Sequence, residues 1–335
     1  MKSKSFAVTR TLAVCALVIA LVALSFAQDK TKAPQVSKGE QDAMTKVQSA
    51  ADPAAKLKAA DEFIKKYPKS TNRAGVVTQV ISEISNVSDP AQKIMLLESS
   101  LTVFKDPADA DIITPILLNA YINAKRVDDA FSFADKALAK NPNDVTALTQ
   151  VTRLGTEQAQ QGNGKYVSQS QQYGAKAIQI IESGNKPANL TDESWKEYQT
   201  RSLPQLYQWI GMLSLMTGNA ADAKAKLDKA ASLNGNDPYT FLLLGSVAND
   251  EYQKLVENYK KQPPGPLKDS LLKDAQAKMD EVIEMWAHAI GLAQDNAQYQ
   301  AFVAQLRPEL EGYYKYRHNN STQGLDELIA KYKKQ

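Results

Sequence analysis

Polar and apolar residues alternate along most of this 335-residue chain with the period of an α-helix. From about residue 42 onward, Ala, Leu, Lys and Gln dominate, and apolar residues recur every three or four positions. Runs of alternating β-branched and aromatic residues, which predict strands, are scarce. The pattern predicts an all-α protein in which Asp-Pro and Asn-Pro pairs, such as Asp89-Pro90 and Asn141-Pro142, separate successive helices.

Two segments repeat at a spacing of 34 residues, measured from Gly211 to Gly245. The segments Tyr207–Gly211 and Phe241–Gly245 share the pattern aromatic-x-x-aliphatic-Gly. This pattern resembles the first helix of a tetratricopeptide repeat (TPR), a family of helix-pair repeats. The resemblance implies an all-α solenoid of antiparallel helix pairs, stacked into a right-handed superhelix. It covers most of residues 55–295.

Small residues recur in the predicted second helices, where they let two helices approach closely while a large residue fills the groove between them. Ala130 and Ala137 flank one such position, and Ala223 and Ala230 flank another. Together with their first-helix counterparts, the residues predicted to pack the repeats are Leu117, Tyr121, Ala130, Ala137, Pro142, Gly211, Ala223, Ala230 and Gly245.

The remaining sequence divides around this array. Residues 28–41 are polar and predict a flexible leader. The array itself is predicted over 42–298, with insertions at about 156–172, which is rich in Gln and Gly, and at about 250–280, which contains Pro263, Pro264 and Pro266. Residues 299–335 predict two capping helices, broken near Asn319-Asn320.

The first 27 residues have the pattern of a secretory signal peptide. Lys2, Lys4 and Arg10 are basic, residues 12–24 form an apolar run, and Ser25-Phe26-Ala27 places small residues before a cleavage site. We therefore expect cleavage after Ala27 and an exported, periplasmic protein.

Two alternatives for the N-terminus remain open. An uncleaved segment would act as an anchor, although the apolar run is short for a bilayer span of about 20 residues. A lipoprotein would use Cys15, but Val14 is bulky and the apolar run continues past the cysteine. The favoured interpretation places Cys15 inside the signal peptide, which leaves the mature chain without a thiol.

Charge and composition exclude several classes of partner. The full chain carries a formal charge of +3, and three basic residues but no acidic ones precede Gln28. The mature chain is therefore formally neutral and lacks the basic surface expected of a nucleic-acid or anionic-membrane binder. We predict no direct membrane insertion of the mature chain.

Catalytic motifs are absent from the sequence. His288 lies among apolar residues and is predicted to be structural, whereas His318 lies beside a predicted turn and is predicted to be solvated. No zinc-binding His-Glu-x-x-His, phosphate-binding glycine loop or Gly-x-Ser-x-Gly elbow occurs. The tyrosines at 313, 314 and 316 are predicted to pack the C-terminal helices. We predict no enzyme activity, no metal and no cofactor.

The TPR resemblance implies a groove lined by first helices, on positions beside the packing motif. Amide side chains there suit a peptide backbone because they donate and accept hydrogen bonds. The basic residues with which some TPR proteins hold a terminal carboxylate are missing from these positions. The predicted partner-binding residues are Asn119, Asn123, Gln205, Gln208, Met212, Tyr239, Leu242, Ser246 and Asn249.

The favoured function is therefore a non-enzymatic exported scaffold that binds a protein or peptide on its concave face. A second hypothesis is an outer-membrane assembly factor that acts with anchored envelope proteins. A third is a glycan-binding or hydrolytic protein, which would require exposed aromatic rings beside paired carboxylates. Ordinary polar groove residues without a dedicated ligand would have the same sequence pattern.

Overall fold

The computed structural model describes residues 36–188 and 190–333, and within these residues the chain is all-α, as predicted. The predicted signal peptide lies outside the described residues. The α-helices are α1 (Lys38–Ser49), α2 (Pro53–Lys66), α3 (Arg73–Ser85), α4 (Pro90–Val103), α5 (Pro107–Asn123), α6 (Val127–Lys140), α7 (Val145–Gln160), α8 (Val167–Glu182), α9 (Asp192–Glu197), α10 (Leu203–Met216), α11 (Ala220–Leu233), α12 (Pro238–Lys261), α13 (Pro266–Ala293), α14 (Gln300–Arg317) and α15 (Leu325–Ala330).

Asp-Pro pairs start four of these helices, because proline is tolerated at the first helical position and aspartate caps the free N–H groups of the first turn. The carboxylate of Asp52 accepts a hydrogen bond from the N–H of Ala55 at 2.8 Å, and that of Asp89 accepts one from Gln92 at 2.6 Å. Asp106 and Asp237 cap α5 and α12 in the same way. The sequence thus sets where these helices begin.

Helices that follow one another along the chain pack as pairs joined by short connections: α1/α2, α3/α4, α5/α6, α7/α8, α10/α11 and α12/α13. First helices also contact the first helix of the neighbouring pair, as α5 does with α7 and α7 with α10. One cluster of buried apolar side chains is drawn mainly from α1–α10 and a second mainly from α11–α15. Each pair therefore covers the apolar face of the next, as in a repeat array.

The departure from helix pairs lies at residues 183–202, between α8 and α10. It contains the short helix α9 and a π-helical turn at Tyr198–Ser202. Residues 156–172, predicted as an insertion, form instead the end of α7, a short connection and the start of α8. The glycines of that segment serve the connection, where Gly162 adopts a φ of 85° that favours glycine.

The predicted leader and the second predicted insertion are also largely helical where they are described. Residues 38–41 belong to α1, which Ser37 caps. Residues 250–280 lie in α12 and α13, which have 24 and 28 residues and are joined by a short turn. At the C-terminal end, α14 and α15 both pack against α13. Asn319 and Asn320 adopt positive φ angles in the turn after α14.

The C-terminal segment is held on α13 by a stack of three rings. The imidazole of His288 lies between the ring of Phe241, at a centroid distance of 3.6 Å, and that of Tyr332, at 4.0 Å. Glu284 accepts hydrogen bonds from Lys331 and from the Tyr332 hydroxyl. Gly291 lets the segment approach closely, because a Cβ there would lie 2.5 Å from the carbonyl oxygen of Ile329.

We expect this stack to make stability depend on pH. Burial lowers the pKa of His288; Glu284 opposes the shift and Lys331 adds to it. Because the folded pKa lies below the unfolded value of about 6.5, the neutral form is favoured in the folded state. The stability that the neutral imidazole contributes to the folded state is complete above the unfolded pKa. It is lost as the pH falls from the unfolded pKa through the folded pKa. We expect His288→Phe, which keeps a stacked ring, to reduce the fall in urea midpoint between pH 7.5 and 5.

The measurement is urea unfolding of both proteins at the two pH values, followed by circular dichroism. Carboxylates titrate in both proteins, so the comparison isolates the imidazole. Equal midpoint changes in the two proteins would contradict a role for His288 protonation.

Candidate partner-binding face

Side-chain hydrogen bonds join α5, α7, α10 and α12, which are the first helices of successive pairs, and also join α12 to α14, which follows the last pair. We call the surface that these five helices form the first-helix face. Each contact between two neighbouring helices of this face includes a hydrogen bond from a polar side chain, and three of the four donors are glutamines. The contacts are Gln150 Nε2 to the Pro115 carbonyl oxygen at 3.4 Å, Gln160 Nε2 to Met212 Sδ at 3.2 Å, Gln208 Nε2 to Thr240 Oγ1 at 2.8 Å, and Tyr313 Oη to Asn249 Oδ1 at 2.5 Å.

Three of the predicted partner-binding residues have exposed side chains that form no hydrogen bond with another described residue. Asn119 and Asn123 project from α5 and Gln205 projects from the start of α10. None of the three side chains makes a hydrogen bond to another described residue. Their donors and acceptors are therefore available to a ligand.

The other predicted residues, apart from the exposed Tyr239, are more deeply engaged within the array. Gln208 donates to Asp237 and Thr240, and Asn249 accepts from Tyr313. Met212 is only 8% exposed and packs beneath Gln160, so its side chain belongs to the packing between helices and does not line the surface. Leu242 and Ser246 are half-buried, and the Ser246 hydroxyl donates to the carbonyl oxygen of Leu242. Tyr239 is 44% exposed.

The contribution of α7 to this face was not predicted from the sequence. Thr149, Gln150, Arg153 and Glu157 are half-buried on this helix, which lies between α5 and α10. Arg153 and Glu157 form an ion pair one turn apart, with Nη1 to Oε1 at 3.1 Å. The available signal was the dipeptide Leu154-Gly155, which matches the aliphatic-Gly pairs that end the two recognised motifs.

Glycine closes the contact between the two helices of three successive pairs. A Cβ on Gly211 would lie 2.7 Å from Cγ of Leu227, and one on Gly245 would lie 2.3 Å from Cδ1 of Trp286. A Cβ on Gly155 would meet Ser170 in the same way. Each glycine lies on a first helix and meets the second helix of its own pair, which is the packing that the TPR motif encodes. The chain has a TPR fold.

Most of the other residues predicted to pack the TPR array are buried in contacts between helices. Leu117 and Tyr121 are buried in α5, Ala130 is buried in α6, and Ala223 and Ala230 are buried in α11. Ala137 is half-buried, whereas Pro142 is exposed in the connection between α6 and α7. Pro142 therefore lies in a turn and does not fill a helix contact.

Comparisons with known proteins returned matches only among solved structures. No family model and no curated protein sequence matches the chain. A thermophilic TPR protein of Thermus thermophilus, TTC0263, is 14% identical over 70% of this chain and 95% of its own, with a TM-score of 0.39. The type IV pilus biogenesis factor PilW is 16% identical over 78% of this chain and all of its own, at 0.38. PilF of Pseudomonas aeruginosa is 16% identical over 88% of this chain and all of its own, at 0.37.

Within residues 36–188 and 190–333, no group of three or more His, Cys, Asp and Glu side chains is arranged to hold a metal ion. No helix in the same residues is long and apolar enough to cross a membrane. His318 stacks on Tyr314, which is buried, and its Nδ1 lies 2.9 Å from the Tyr314 carbonyl oxygen. Tyr316 is 75% exposed.

The inserted segment at 183–202 shapes the surface beside the TPR array. Its Tyr198 donates a hydrogen bond to Thr146 at the start of α7, at 3.0 Å. Two open clefts of about 550 and 670 Å³ flank it, and both are lined mainly by polar residues. Asp144 lies in the smaller cleft; burial raises the pKa of its carboxyl, although the carboxylate caps α7.

Proposed function

We propose that this protein is an exported, non-enzymatic scaffold that binds an extended segment of a partner protein along the first-helix face. The observation that carries the proposal is the set of exposed amides, Asn119, Asn123 and Gln205, which have no hydrogen-bond partner among the described residues. An extended peptide offers N–H and C=O groups along its length, and an amide side chain satisfies both kinds.

The hydrogen bonds between first helices support this function because they fix the face before a ligand arrives. Gln150, Gln160 and Gln208 each connect one first helix to the next, and Tyr313 connects α14 to α12. A surface that is already ordered loses little conformational entropy on binding, which raises affinity for a given set of contacts. The signal-peptide pattern of residues 1–27 supports export.

The double variant Asn119→Ala, Asn123→Ala tests the site. Each exposed amide lost from a peptide contact costs on the order of 1 kcal/mol, so we expect partner binding to weaken on the order of 10-fold or more. Helix content and melting temperature should stay within error, because neither side chain contacts another described residue through a hydrogen bond. Quantitative capture of crosslinked partners from the native envelope fraction measures the first expectation and circular dichroism the second.

A photo-crosslinking residue placed at Asn123 and, separately, at Ser132 gives the matched comparison. Ser132 is exposed on the second helix of the same pair and makes no side-chain hydrogen bond to a described residue. We expect a crosslinked partner from position 123 and none from position 132. Equal crosslinking at both positions, or none at either, would contradict binding on the first-helix face.

A further inference from the structure

Three aromatic rings meet at the C-terminal end of the first-helix face, and we call them the aromatic triad. Tyr239 lies in the first turn of α12, and Tyr299 and Phe302 lie at the start of α14. The ring centroids of Tyr239 and Phe302 are 5.2 Å apart, those of Tyr239 and Tyr299 are 5.6 Å apart, and those of Tyr299 and Phe302 are 6.4 Å apart. The rings meet at steep angles, and Tyr239 is 44% exposed.

Six tyrosine rings outside the triad are covered by basic side chains of the chain itself. The pairs are Lys66 with Tyr67, Arg126 with Tyr121, Lys165 with Tyr166, Lys226 with Tyr207, Lys268 with Tyr259 and Lys331 with Tyr332, at 4.7–5.9 Å from the ring centroid. Among the described residues, no lysine or arginine lies over a ring of the aromatic triad. The electron-rich faces of the triad thus have no internal cation.

A carboxylate beside the triad also lacks a basic partner. Asp237 caps α12 and accepts hydrogen bonds from the N–H of Tyr239 at 3.1 Å, from the Thr240 hydroxyl at 3.1 Å and from Gln208. These neutral donors fix its position but leave its charge unbalanced, and it forms no salt bridge within residues 36–188 and 190–333. The carboxylate lies beside Tyr239, from whose backbone N–H it accepts a hydrogen bond, and its charge adds to the effect of burial in raising the pKa of Tyr299.

We infer that the aromatic triad and Asp237 form a subsite for a cationic side chain, arginine or lysine, of the bound partner. A cation over an aromatic face is attracted by the ring quadrupole, and a nearby carboxylate adds to the attraction. Arginine is the better fit, since its planar guanidinium stacks on a ring while its N–H groups reach a carboxylate. The inference rests on the proposed function, because the triad continues the first-helix face at Tyr239.

The probe is N-acetyl-arginine amide, with N-acetyl-citrulline amide as a neutral analogue of nearly the same shape. Titration of each into the mature protein is followed by nuclear magnetic resonance of the aromatic side chains. We expect saturable shifts of the Tyr239 and Phe302 ring signals with the arginine probe at millimolar concentrations. The citrulline probe should bind about 5-fold more weakly or not at all.

Three variants separate the parts of the subsite. Tyr239→Leu keeps an apolar side chain but removes the ring face, so binding of the arginine probe should be lost. Tyr239→Phe keeps the ring face and is expected to bind like the wild type. Asp237→Asn removes the charge but retains a residue that caps helices well, and it should weaken binding about 2- to 5-fold. Circular dichroism of each variant checks that the fold is retained.

Equal shifts with the arginine and citrulline probes, or none with either, would overturn the subsite. So would unchanged arginine binding in Tyr239→Leu. These outcomes differ from a failure of the proposed function. If the probe binds at Tyr239 but no partner crosslinks at Asn123, the scaffold proposal fails and the subsite stands. If a partner crosslinks at Asn123 and the arginine probe does not bind, the subsite alone fails.

Discussion

Gly245→Leu is expected to lower the melting temperature by on the order of 5–10 °C, which corresponds to about 3 kcal/mol of overpacking. Even a Cβ at this position would lie 2.3 Å from Cδ1 and 2.4 Å from Nε1 of Trp286. Trp286 is 4% exposed and packed within the second core cluster, so it has little room to move. The larger side chain must force α12 and α13 apart. Thermal unfolding followed by circular dichroism at 222 nm measures the effect.

Gly312→Leu is the matched control. Gly312 also lies inside a long helix, α14, but nothing lies within 4 Å of a Cβ built on it. The substitution should leave the melting temperature unchanged or raise it, because leucine favours the helix more than glycine does. Similar melting temperatures for Gly245→Leu and Gly312→Leu would show that the α12/α13 contact does not require glycine.

Arg73→Leu is expected to destabilise the protein by about 2–4 kcal/mol. Arg73 of α3 donates a hydrogen bond to the carboxylate of Asp109 at the start of α5, and the two side chains are 19% and 5% exposed. Without Arg73, the buried charge of Asp109 has no partner, which is the costly part of breaking such a pair. Urea unfolding measures the loss as a lower midpoint.

The double variant Arg73→Leu, Asp109→Leu should recover most of that loss, because it removes the buried charge together with its partner. Arg201→Ala serves as the surface comparison. Arg201 pairs with Glu197 at 2.9 Å, but both side chains are largely exposed, so its loss should cost less than about 1 kcal/mol. A double variant as unstable as Arg73→Leu alone would mean that the arginine stabilises the contact between α3 and α5 by packing, not by its charge.

Local sequence patterns were sufficient to predict the fold. Helical periodicity, Asp-Pro caps and the matching of Gly211 with Gly245 are local signals, and each has a direct physical cause in the structure. The pair α7/α8 was harder to recognise, because residues 183–202 separate it from α10 and break the 34-residue period. Gly155 performs the packing role of Gly211 there, but it does not lie at the 34-residue spacing that relates Gly211 to Gly245.

The candidate site was less predictable, because hydrogen bonding between first helices depends on residues far apart in the chain. Helical register placed Gln208 and Asn249 on first helices. Their partners, Asp237 and Thr240 for one and Tyr313 for the other, lie 29–64 positions away. Only the three-dimensional arrangement distinguishes these engaged amides from the free amides of Asn119 and Asn123.

The division of most buried side chains between two large clusters has a consequence for the way the chain unfolds. In a stack of repeats, each repeat contacts only its neighbours. The cooperativity of unfolding is therefore limited by the weakest interface along the stack. The two clusters adjoin at α10 and α11, where Ala230 belongs to the first and Ala223 and Leu227 to the second. We therefore expect a proteolytic cut in one half to leave the other half able to stay folded, with α10/α11 as the element whose loss uncouples them.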